Sequence, residues 1–598
     1  MAETATVERL LNTYLRELVV APAEFVADER LLAQLPNHIS EQLLHQGLPM
    51  RLVLPKSSII IWGSIIYFSP IGLHKFGDSF WRSANESNAS SITISRLELA
   101  TLLLSEISNN EPGLLTPAEH INVLRQHIEN SIEKTALYVD QRLNYNQPWL
   151  DLEDEDRFLA AEQALLFGHP FHPMPKSSDG FLPEDLDRYA PELGASFALH
   201  YFVLSPQLVR EEFLPGSINH VIPRRVIEQT KDCLNSAQRD WQLLPCHPWQ
   251  ATFLYRQSNV QALIDADELS YLGPLGETVY PTSSVRTIVS TEHPFFFKLP
   301  LSVRITNYIR INPLEHLQRS IDVSRAISTV KAYAATPNLT VLLEVGFRTI
   351  APRHWSEADQ QQLMAQFGVL FRERPPITGA AAPMVVAAIL EPCPHTNEPL
   401  IIRVIKRANG NVAINSTTIN SWLRRYVEIS LIPLLRLFIH TGISLEAHVQ
   451  NSLIVLHDGW PKHLYVRDLE GGSISRDRAV GSRLCGKQID EQSPALYDDD
   501  QAWHRLKYYL LVNHFGHLIS TLAHYGRVDE YQLWQVVRDT VSAKVVQEIN
   551  GVGRRYLEEL LDGPELPAKA NLLSSFHQCS ERPLYINIPN FLRGTEAL

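Results

Sequence analysis

The spacing of apolar residues changes twice along this chain of 598 residues, and that change limits the folds it can adopt. Residues 1–165 carry mainly helical periodicity, as in "TVERLLNTYLREL". Residues 166–400 hold strand-like runs such as "FALHYFVL", "SVRTIVS", "NLTVLLEVGFRTI" and "PMVVAAIL", and residues 401–598 return to helical spacing. The pattern predicts an α+β protein that is too long for one hydrophobic core, so we expect three lobes packed into one body.

Several segments give more specific predictions. "LTPAEHINVLRQHIENSIEKTALYV" predicts a long amphipathic helix with Thr116 at its N-cap and Pro117 after it. "SWLRRYVEISLIPLLRLFIHTG" and "AWHRLKYYLLVNHFGHLISTLAHYG" predict helices in the last third, with a strand pair, "NSLIVLH" and "KHLYV", between them. The apolar stretch 57–73, "SSIIIWGSIIYFSPIGL", is interrupted by Ser, Gly and Pro, which favours paired buried strands over a membrane span.

The composition argues against several classes of protein. A net charge of −13 provides no general attraction for nucleic acid. The start, "MAETATVERL", is acidic and lacks the apolar core of a signal peptide. Five cysteines form no CxxC pair, which argues against a disulfide framework and a cysteine-type zinc site. We expect a cytoplasmic protein that binds neither nucleic acid nor membranes.

Positive charge is concentrated in residues 281–313, "PTSSVRTIVSTEHPFFFKLPLSVRITNYIRINP". One acid, Glu292, stands among four cations, which are Arg286, Lys298, Arg304 and Arg310. In an extended backbone Ser284 would share a face with Arg286, and in a helical turn Thr306 would share one with Arg310. Hydroxyl and guanidinium groups together bind phosphate or carboxylate oxygens well. The alternative is a pair of strands with ordinary solvated charges.

A second polar segment spans residues 444–472. Glu446, His448 and Gln450 alternate with apolar residues, so an extended backbone would place all three on one face. Asn451 precedes one strand and Asp468 precedes a Gly-Gly turn after the next. Carboxylate and amide oxygens at strand ends suit Mg²⁺, which predicts Glu446, Asn451 and Asp468 as ligands. The alternative is a polar hairpin face without a ligand.

This second segment has the same arrangement as a kinase nucleotide site, in which an amide and an aspartate at strand ends hold Mg²⁺. A small-molecule phosphotransferase is therefore one hypothesis. The chain lacks a G-x-G-x-x-G loop before a V-A-I-K lysine, and it lacks an H-R-D catalytic loop.

The segment 168–181, "GHPFHPMPKSSDGF", combines three prolines with His169, His172 and Lys176. Histidines three apart are able to bind a metal or to position a polyanion. A third zinc ligand at a fixed spacing is missing, so we favour a role in positioning a polyanion over metal binding. A third His-Pro pair, at His247, is better explained by a core or turn role.

Taken together, these motifs resemble the NRPS-independent siderophore synthetases, the aerobactin-synthetase-like family. The matching elements are "LNTYLRE", "HPFHPMPKSSDGF", "PTSSVRT", a lysine followed by "ITNYIR", "EAHVQN", "YVRDLEGG" and "KANLL". They occur in the family's order over essentially the whole chain. One departure lies after "KANLL", where "SSF" stands at a place where the family leads us to expect an arginine.

The resemblance implies an enzyme that uses ATP and Mg²⁺ to adenylate a carboxylate of citrate and then joins it to an amine or alcohol. It implies a cupped-hand fold, usually dimeric, with a distantly kinase-like nucleotide site. Residues 1–165 would form a mainly helical thumb and residues 166–400 strand-rich fingers with the ATP phosphate-binding segments. Residues 401–598 would form a mainly helical palm with the Mg²⁺ and nucleotide hairpin and the carboxylate-binding residues.

The resemblance also assigns roles to individual residues. The triphosphate would be bound by His169 or His172, Lys176, Ser284, Arg286, Thr287, Lys298 and Arg310. The nucleotide and its Mg²⁺ would be bound by Gln450, Asn451 and Asp468, with Glu446 contributing to the metal. The tricarboxylate would be bound by Ser284, Arg286, Thr306, Arg310, His448, Arg505 and Lys569. The residues expected to act in catalysis are Arg286, Lys298, Arg310 and His448.

Free citrate is the expected acid, because the chain offers cationic anchors for a tricarboxylate beyond those for phosphates. A citryl or succinyl derivative and α-ketoglutarate are the alternatives within the family, and a non-catalytic anion-binding protein is the alternative outside enzymes. The nucleophile stays open among a polyamine, a hydroxyamine and an amino acid.

Overall fold

A computed structural model describes residues 1–19, 22–84, 87–109, 117–144, 152, 154–217, 221–353, 355–377, 382–481, 484, 486–546, 551–579 and 583–593. Helices and strands are mixed along the chain, which confirms the α+β class. The predicted N-cap Thr116 and the cysteine Cys485 lie outside the described residues. No helix within the described ranges combines the length and apolar character needed to cross a membrane.

The first 165 residues combine helices with a five-stranded antiparallel sheet of order β1-β2-β4-β5, in which β3 also pairs with β2. The helices are α1 (Ala2–Tyr14), α2 (Glu29–Leu32), α3 (Asn37–Gln46), α4 (Arg96–Asn109), α5 (Pro117–Asn144) and α6 (Asp154–Glu162). The strands are β1 (Leu48–Leu54), β2 (Ile59–Tyr67), β3 (Lys75–Phe76), β4 (Phe80–Ala84) and β5 (Ser87–Ile94). The long helix predicted after Thr116 is confirmed as α5.

The prediction of paired strands within 57–73 is wrong, because β2 runs as one strand through Gly63 and Ser64. Gly63 does not turn the chain. A Cβ there would lie 2.9 Å from the ring of Phe80, so this glycine allows a close approach of the neighbouring strand. Ser64 is buried and donates its hydroxyl to the carbonyl of Leu43.

The middle of the chain forms an eight-stranded antiparallel sheet of order β8-β16-β17-β12-β11-β10-β7-β9. Its strands and their neighbours are β6 (Ser178–Asp179), β7 (Phe197–Leu204), β8 (Val209–Phe213), β9 (Gln242–Cys246), β10 (Leu269–Pro281), β11 (Thr287–Val289), β12 (Phe295–Lys298), β13 (Leu301–Ile305), β14 (Tyr308–Arg310), β15 (Leu339–Val341), β16 (Glu344–Ile350), β17 (Val369–Glu373) and β18 (Met384–Val385). The helices are α7 (Pro183–Tyr189), α8 (Arg224–Thr230), α9 (Pro248–Tyr255), α10 (Ser258–Asp265), α11 (Leu314–Thr329), α12 (Lys331–Ala334), α13 (Glu357–Phe367) and α14 (Val386–Leu390).

Two strand predictions in this region need correction. "PMVVAAIL" forms only the two-residue strand β18 before helix α14, since a segment buried on all sides carries no periodicity that distinguishes the two. "SVRTIVS" becomes a strand only at Thr287, because a turn occupies the residues before it. "FALHYFVL" is confirmed as β7 over its full length.

The last third is mainly helical, as predicted, with the hairpin β20–β21 inside a four-stranded sheet of order β15-β21-β20-β18. Its helices are α15 (Leu400–Ala408), α16 (Ser416–Ile429), α17 (Leu431–Thr441), α18 (Arg476–Gly481), α19 (Asp499–Leu506), α20 (Gly516–Gly526), α21 (Glu530–Val541), α22 (Val552–Asp562) and α23 (Asn571–Phe576). Its strands are β19 (Ile443–Ser444), β20 (Ser452–His457), β21 (Trp460–Val466), β22 (Ser473–Ser475), β23 (Leu496–Tyr497), β24 (Glu565–Lys569) and β25 (Tyr585–Pro589). A π-helical segment, Lys507–Phe515, joins α19 to α20.

Three large hydrophobic clusters lie under these elements: one beneath the N-terminal sheet, one on the eight-stranded sheet and one among the C-terminal helices. They do not follow chain order strictly. Leu572 and Phe576 of α23 pack in the N-terminal cluster, and residues 384–390 pack with the C-terminal helices. Segments from different thirds of the chain therefore share hydrophobic clusters, and the lobe boundaries stay predictions.

Candidate active site

A tight turn before β11 carries Ser284 and Arg286. Val285 has a φ of 68°, and the backbone N–H of Thr282 donates to the carbonyl of Thr287 at 2.8 Å. The hydroxyl of Ser284 accepts the N–H of Thr287 at 3.1 Å. The extended backbone expected here is therefore wrong, and Ser284 and Arg286 are both held in a turn instead of on one face of a strand.

Arg286 is 7% exposed and connects three segments of the cationic stretch. Its Nη1 donates to Oδ1 of Asn312 at 2.5 Å and to the carbonyl of Arg310 at 3.1 Å. Asn312 in turn donates its Nδ2 to the carbonyl of Lys298 at 3.2 Å. Because Thr287 pairs directly with Lys298 across β11 and β12, the predicted phosphate-binding residues of the cationic stretch converge in one place.

Lys298 joins this cluster to the end of the β20–β21 hairpin. Its ammonium donates to Oδ1 of Asp468 and to Oε2 of Glu470, both at 2.6 Å. Burial opposes ionisation of both carboxyls, but the neighbouring cations, Lys298 above all, outweigh it and hold the pKa of Asp468 and Glu470 well below ordinary values. Both acids are therefore ionised at neutral pH.

Four further residues in this cluster were not predicted from the sequence. Glu470 lies 3.7 Å from Nη2 of Arg286 and 3.0 Å from Nδ1 of His316. Arg372 lies 3.1 Å from Oδ1 of Asp468 and donates its Nε to the buried carboxylate of Glu344 at 2.7 Å. A glutamate at the start of the mostly buried strand "EVGFRTI" was the available signal, since a buried acid requires a partner.

The backbone around Asp468 is held by an ion pair on one side and by a hydrogen bond to a carboxylate on the other. Asp468 itself adopts a φ of 72°. Before it, Arg467 forms a two-pronged pair with the buried Glu162, at 2.5 and 3.0 Å. After it, the N–H of Leu469 donates to Oε2 of Glu344 at 3.2 Å. These contacts fix the direction in which the Asp468 carboxylate points.

The segment "EAHVQN" alternates as predicted: Leu445, Ala447 and Val449 are buried in the C-terminal core. His448 turns its ring so that Nδ1 accepts the backbone N–H groups of Gln450 and Asn451 at 3.2 and 3.3 Å. An imidazole nitrogen that accepts N–H groups carries no proton. Burial lowers the pKa of His448, so its neutral ring carries the proton on Nε2.

The amides that follow His448 connect to both predicted sites. Nε2 of Gln450 donates to the hydroxyl of Ser283 at 3.2 Å, beside the Ser284 turn. Nδ2 of Asn451 donates to the carbonyl of Glu446 at 3.1 Å, so its Oδ1 is directed elsewhere. The hairpin and the cationic stretch are thus in direct contact.

Glu446 does not fit the predicted role as a magnesium ligand, because its carboxylate accepts Nη2 of Arg505 at 2.8 Å. Asp468 and Glu470 fit better: two ionised carboxylates converge on one ammonium, and oxygen donors are what Mg²⁺ prefers. The described residues contain no group of three or more His, Cys, Asp or Glu arranged to hold a metal by themselves.

Arg505 and Lys569 meet on the other side of His448. Lys569 donates to the hydroxyl of Tyr509 at 2.6 Å, and its ammonium lies 4.7 Å from the centre of that ring. The guanidinium of Arg505 lies 5.7 Å from the same ring. The two cations and the Tyr509 hydroxyl therefore form one patch that suits a carboxylate. Burial lowers the pKa of Lys569.

Arg16 also reaches this region, although no role was predicted for it. It stacks 3.3 Å above the ring of Phe171 and donates to the carbonyl of Lys569 at 3.4 Å. The next residue, Glu17, accepts the N–H groups of Leu572 and Leu573. An arginine from the π-helical turn that follows α1, Leu15–Val19, thus lies close to the "KANLL" segment, after which an arginine was expected but absent.

The loop with the two His-Pro pairs separates its histidines by role. His169 uses Nδ1 to accept the N–H of Phe171 at 3.0 Å, and its Nε2 lies 2.8 Å from the side-chain amide of Asn513. His172 uses Nδ1 to accept the N–H of Met174 at 3.2 Å. Within the described part of the chain its Nε2 has no hydrogen-bond partner.

This geometry argues against zinc at the two histidines. Both rings accept a backbone N–H at Nδ1, so in the neutral state the proton is on Nε2 and no lone pair is left for a metal. Burial lowers the pKa of His172 to about 3, with the charge of Arg310 adding to the effect. His172 therefore offers a neutral N–H donor next to Arg310.

Lys176 is held inside the protein. Its ammonium donates to Oε1 of Glu192 at 2.6 Å and to the carbonyl of Leu165. These partners already satisfy most of its hydrogen-bonding capacity. Its proposed contact with a triphosphate stays a prediction that this geometry does not favour.

Thr306 and Arg310 are close together, as predicted, but not in a helical turn. They belong to the hairpin β13–β14, and Thr306 occupies its turn with a φ of 56°. Nη2 of Arg310 donates to the hydroxyl of Thr306 at 3.2 Å and to the carbonyl of Ile305 at 3.0 Å. Burial, together with the charge of Arg286, lowers the pKa of Arg310 to about 10.

His247 is confirmed in a turn role. It is fully buried and caps helix α9, where its Nδ1 accepts the N–H of Trp249 at 3.2 Å. It takes no part in the cluster described above.

Known proteins share both the fold and the sequence of this chain. Residues 157–391 match the IucA/IucC family, and residues 420–584 match a second family, described as ferric iron reductase FhuF-like transporter. The ATP-bound aerobactin synthetase IucA from a hypervirulent pathotype of Klebsiella pneumoniae superposes with a TM-score of 0.82 at 24% identity, covering 98% of this chain and 99% of that one. The petrobactin biosynthesis protein AsbB of Bacillus anthracis gives 0.76 at 17% identity, covering 99% and 95%.

The fold is therefore that of the aerobactin synthetases. An L-2,3-diaminopropanoate–citrate ligase of Staphylococcus aureus is 34% identical over 98% of this chain and 96% of its own. A spermidine–citrate ligase of Bacillus anthracis is 29% identical over 99% and 97%. The chain belongs to the IucA/IucC family, the NRPS-independent siderophore synthetases that its motifs indicated.

Proposed function

We propose that this protein is an ATP-dependent ligase that activates a carboxylate of citrate as its adenylate and joins it to an amine. The observation that carries the proposal is that Arg505, which shares the ring of Tyr509 with Lys569, also reaches the group around Lys298. Its Nη2 donates to the carbonyl of Gly471, the residue after Glu470. Relatives named as citrate ligases support citrate as the acid substrate. The ATP-bound neighbour of the same fold supports ATP as the nucleotide.

The two substrates repel each other, since citrate carries about −3 and ATP about −4 at neutral pH and like charges cannot approach without compensation. On this proposal Arg286, Lys298 and Arg310 bind the phosphates, and Arg505 and Lys569 bind the carboxylates. A citrate carboxylate oxygen attacks the α-phosphorus, and pyrophosphate leaves. The amine then attacks the acyl carbon, loses its proton, and AMP leaves.

The chain's own groups supply orientation and charge stabilisation. Nε2–H of His448 donates to a citrate oxygen, and its locked Nδ1 excludes it as the base that deprotonates the amine. Nε2–H of His172 donates to a phosphate oxygen. His169 does not, because both of its nitrogens are used within the protein.

Asp468, Glu470 and the amide oxygen of Asn451 are the residues that would hold Mg²⁺, which when bound would neutralise phosphate charge. Ser284 and Thr287 would donate to phosphate oxygens from the turn before β11. The cupped-hand arrangement of lobes, the kinase-like ancestry of the site and a homodimer stay part of this proposal.

One assay tests the proposal against its alternatives. The protein is incubated with ATP, Mg²⁺, citrate and a panel of amines, and the nucleotide product is identified. AMP and pyrophosphate that depend on citrate support the ligase. ADP would indicate a phosphotransferase, and no turnover would indicate an anion-binding protein. Pyrophosphate release stimulated equally by α-ketoglutarate or by a citryl monoamide would contradict citrate as the acid.

For the nucleophile we propose an amino acid with a free amine instead of a polyamine. A polyamine requires unpaired carboxylates, but Glu446 beside the carboxylate-binding patch already pairs with Arg505. An amino acid presents a carboxylate that suits Arg16. Matched reactions with L-2,3-diaminopropanoate and spermidine decide the point: faster AMP formation with spermidine would overturn it.

A further inference from the structure

The π-helical segment Lys507–Phe515 contacts three of the motif loops at once. All nine of its residues are buried, and α19 and α20 continue it in both directions as one helix. π-Helical turns are rare, usually a single turn long, and frequent at functional sites. A segment of this length therefore calls for an explanation in terms of what it holds.

Each contact is made by a different side chain. Asn513 meets Nε2 of His169 in the loop with the two His-Pro pairs, at 2.8 Å. His514 donates Nδ1–H to the carbonyl of Ala447 at 2.7 Å, immediately before His448. Tyr509 accepts the ammonium of Lys569 at 2.6 Å.

The π geometry explains how neighbouring residues serve separate loops. In an α-helix, residues three and four apart share a face. A π-helix closes its hydrogen bonds between residues five apart, so that Tyr509, Asn513 and His514 are brought toward one side. The α-helical arrangement would rotate His514 away from Tyr509, and the loop that contains His448 would lose its support.

His514 is fixed from both ends of its ring. Its Nε2 lies 2.6 Å from the hydroxyl of Tyr426, and its Nδ1 faces the Ala447 carbonyl. The carbonyl only accepts, so Nδ1 carries the proton and Nε2 accepts from the tyrosine. Burial lowers the pKa of His514 to about 4, so the ring stays neutral in this arrangement.

We propose that Asn513 and His514 are positioning residues, through which the π segment sets the His172 and His448 loops relative to each other. The inference rests on the proposed ligase reaction, because these two loops supply its N–H donors. Neither residue touches the substrates. Their effect passes through the backbone beside His169 and His448.

Variants of His514 separate positioning from stability. An asparagine places its amide near the position of Nδ1 and keeps the donor to Ala447, whereas a glutamine places it near Nε2 and loses that donor. We expect H514N to keep kcat for citrate-dependent pyrophosphate release within about threefold and H514Q to lose at least tenfold. KM for ATP should change less than kcat in both.

Tyr426→Phe is the matched control. It removes the hydrogen bond on the other side of the same ring, in a residue that is equally buried. We expect Y426F to lower the melting temperature about as much as H514Q while kcat stays within twofold. A loss of kcat in Y426F equal to that in H514Q would overturn the proposal, as would an H514N variant as slow as H514Q.

Asn513 provides a second, independent arm. The amide nitrogen of Asn513 faces Nε2 of His169, and a 180° turn of the amide presents its oxygen to the Nε2 proton. In that orientation an aspartate retains the acceptor and an alanine removes it. We expect N513A to lose at least fivefold in kcat and N513D to recover part of that loss. Equal, full activity in both variants would exclude Asn513 from positioning.

Hydrogen exchange gives a readout that needs no activity. The N–H groups of Gln450 and Asn451 are bound to His448, so the 444–451 segment should exchange faster in H514Q than in Y426F. If exchange is faster in H514Q but the wild type shows no turnover, the proposed ligase function is wrong and the positioning role of His514 still holds. If the wild type turns over and H514Q shows unchanged exchange and an unchanged kcat, the positioning role alone is wrong.

Discussion

Replacing Lys298 with methionine is the most informative single change in the candidate site. The ammonium contacts Asp468 and Glu470 at 2.6 Å each, and the lysine side chain is 5% exposed. Methionine keeps the volume of the side chain and removes its charge. Two carboxylates that are ionised in the native protein then lose their closest cation.

The size of the effect follows from the neighbours. Breaking a buried ion pair by removing one partner costs about 3–5 kcal/mol. Arg372, 3.1 Å from Asp468, and Arg286, 3.7 Å from Glu470, retain part of the compensation. Both carboxylates are also about a fifth exposed. We therefore expect K298M to lose about 2–3 kcal/mol of unfolding free energy at pH 7.

The loss should depend on pH in a defined direction. Lys298 holds the pKa of both carboxyls below their unfolded values, so its contribution is present above about pH 4 and disappears as pH falls through the folded-state pKa values. Melting curves of K298M and wild type should therefore differ at pH 7, still differ at pH 4, and converge only as pH falls further, through the folded-state pKa values. A stability difference that is absent at pH 7, or that does not shrink as pH falls below 4, would refute the reasoning.

Lys176→Met is the matched control for activity. It also removes a buried lysine from a carboxylate, Glu192, and should cost stability. Because Lys176 is already held by Glu192 and Leu165, we expect K176M to keep its KM for ATP within about threefold, whereas K298M should lose at least a hundredfold in citrate-dependent turnover. An equal rise in the KM for ATP in K176M and K298M would instead support Lys176 as a phosphate-binding residue.

Four further outcomes test the remaining assignments. Arg286→Ala should lose about a hundredfold in rate, or about 3 kcal/mol of transition-state stabilisation, and near-normal turnover would contradict its role. Truncating Arg505 or Lys569 should raise the citrate KM more than the ATP KM, which steady-state kinetics will show. Burial raises the pKa of Glu17 and Glu530 to about 7, so each favours folding below about pH 4.5 and loses that contribution as pH rises through 7; E17Q and E530Q should flatten the melting temperature between pH 5 and 8. Activity should require Mg²⁺ and resist zinc-selective chelators, whereas stoichiometric zinc lost together with activity would revive a metal role for the two histidines.

Elements with a simple pattern could be predicted from the sequence. Strand β7 and the hairpin β20–β21 are apolar runs bounded by turn residues, and α5 follows its helical period. The strands of the N-terminal sheet were mostly missed. The segment "LPMRLVL" and the short "FWRSA" interrupt their apolar residues with proline or arginine, so no alternation identifies them.

The site could be predicted as motifs but not as contacts. Sequence alone does not choose between Asp468 and Glu470 in "DLEGG", and only the turn between them directs both onto Lys298. Glu344 and Arg372 lie on neighbouring strands, and no spacing rule joins them to the hairpin. The π segment could not be predicted either, because "KYYLLVNHF" mixes apolar, aromatic and polar residues without a period that distinguishes a π-helix from an α-helix.

The charges of the candidate site balance among themselves before any substrate binds. Three cations, Arg286, Lys298 and Arg372, stand against three carboxylates, Glu344, Asp468 and Glu470. A buried cluster of cations without such partners would strongly destabilise the folded protein. The three carboxylates therefore allow the three cations to lie close together before a substrate binds. On the proposed function the same arrangement sets a condition on catalysis. Lys298 reaches a phosphate oxygen only after another cation has taken its place at Asp468 and Glu470, and nucleotide binding is thereby tied to the arrival of a divalent ion.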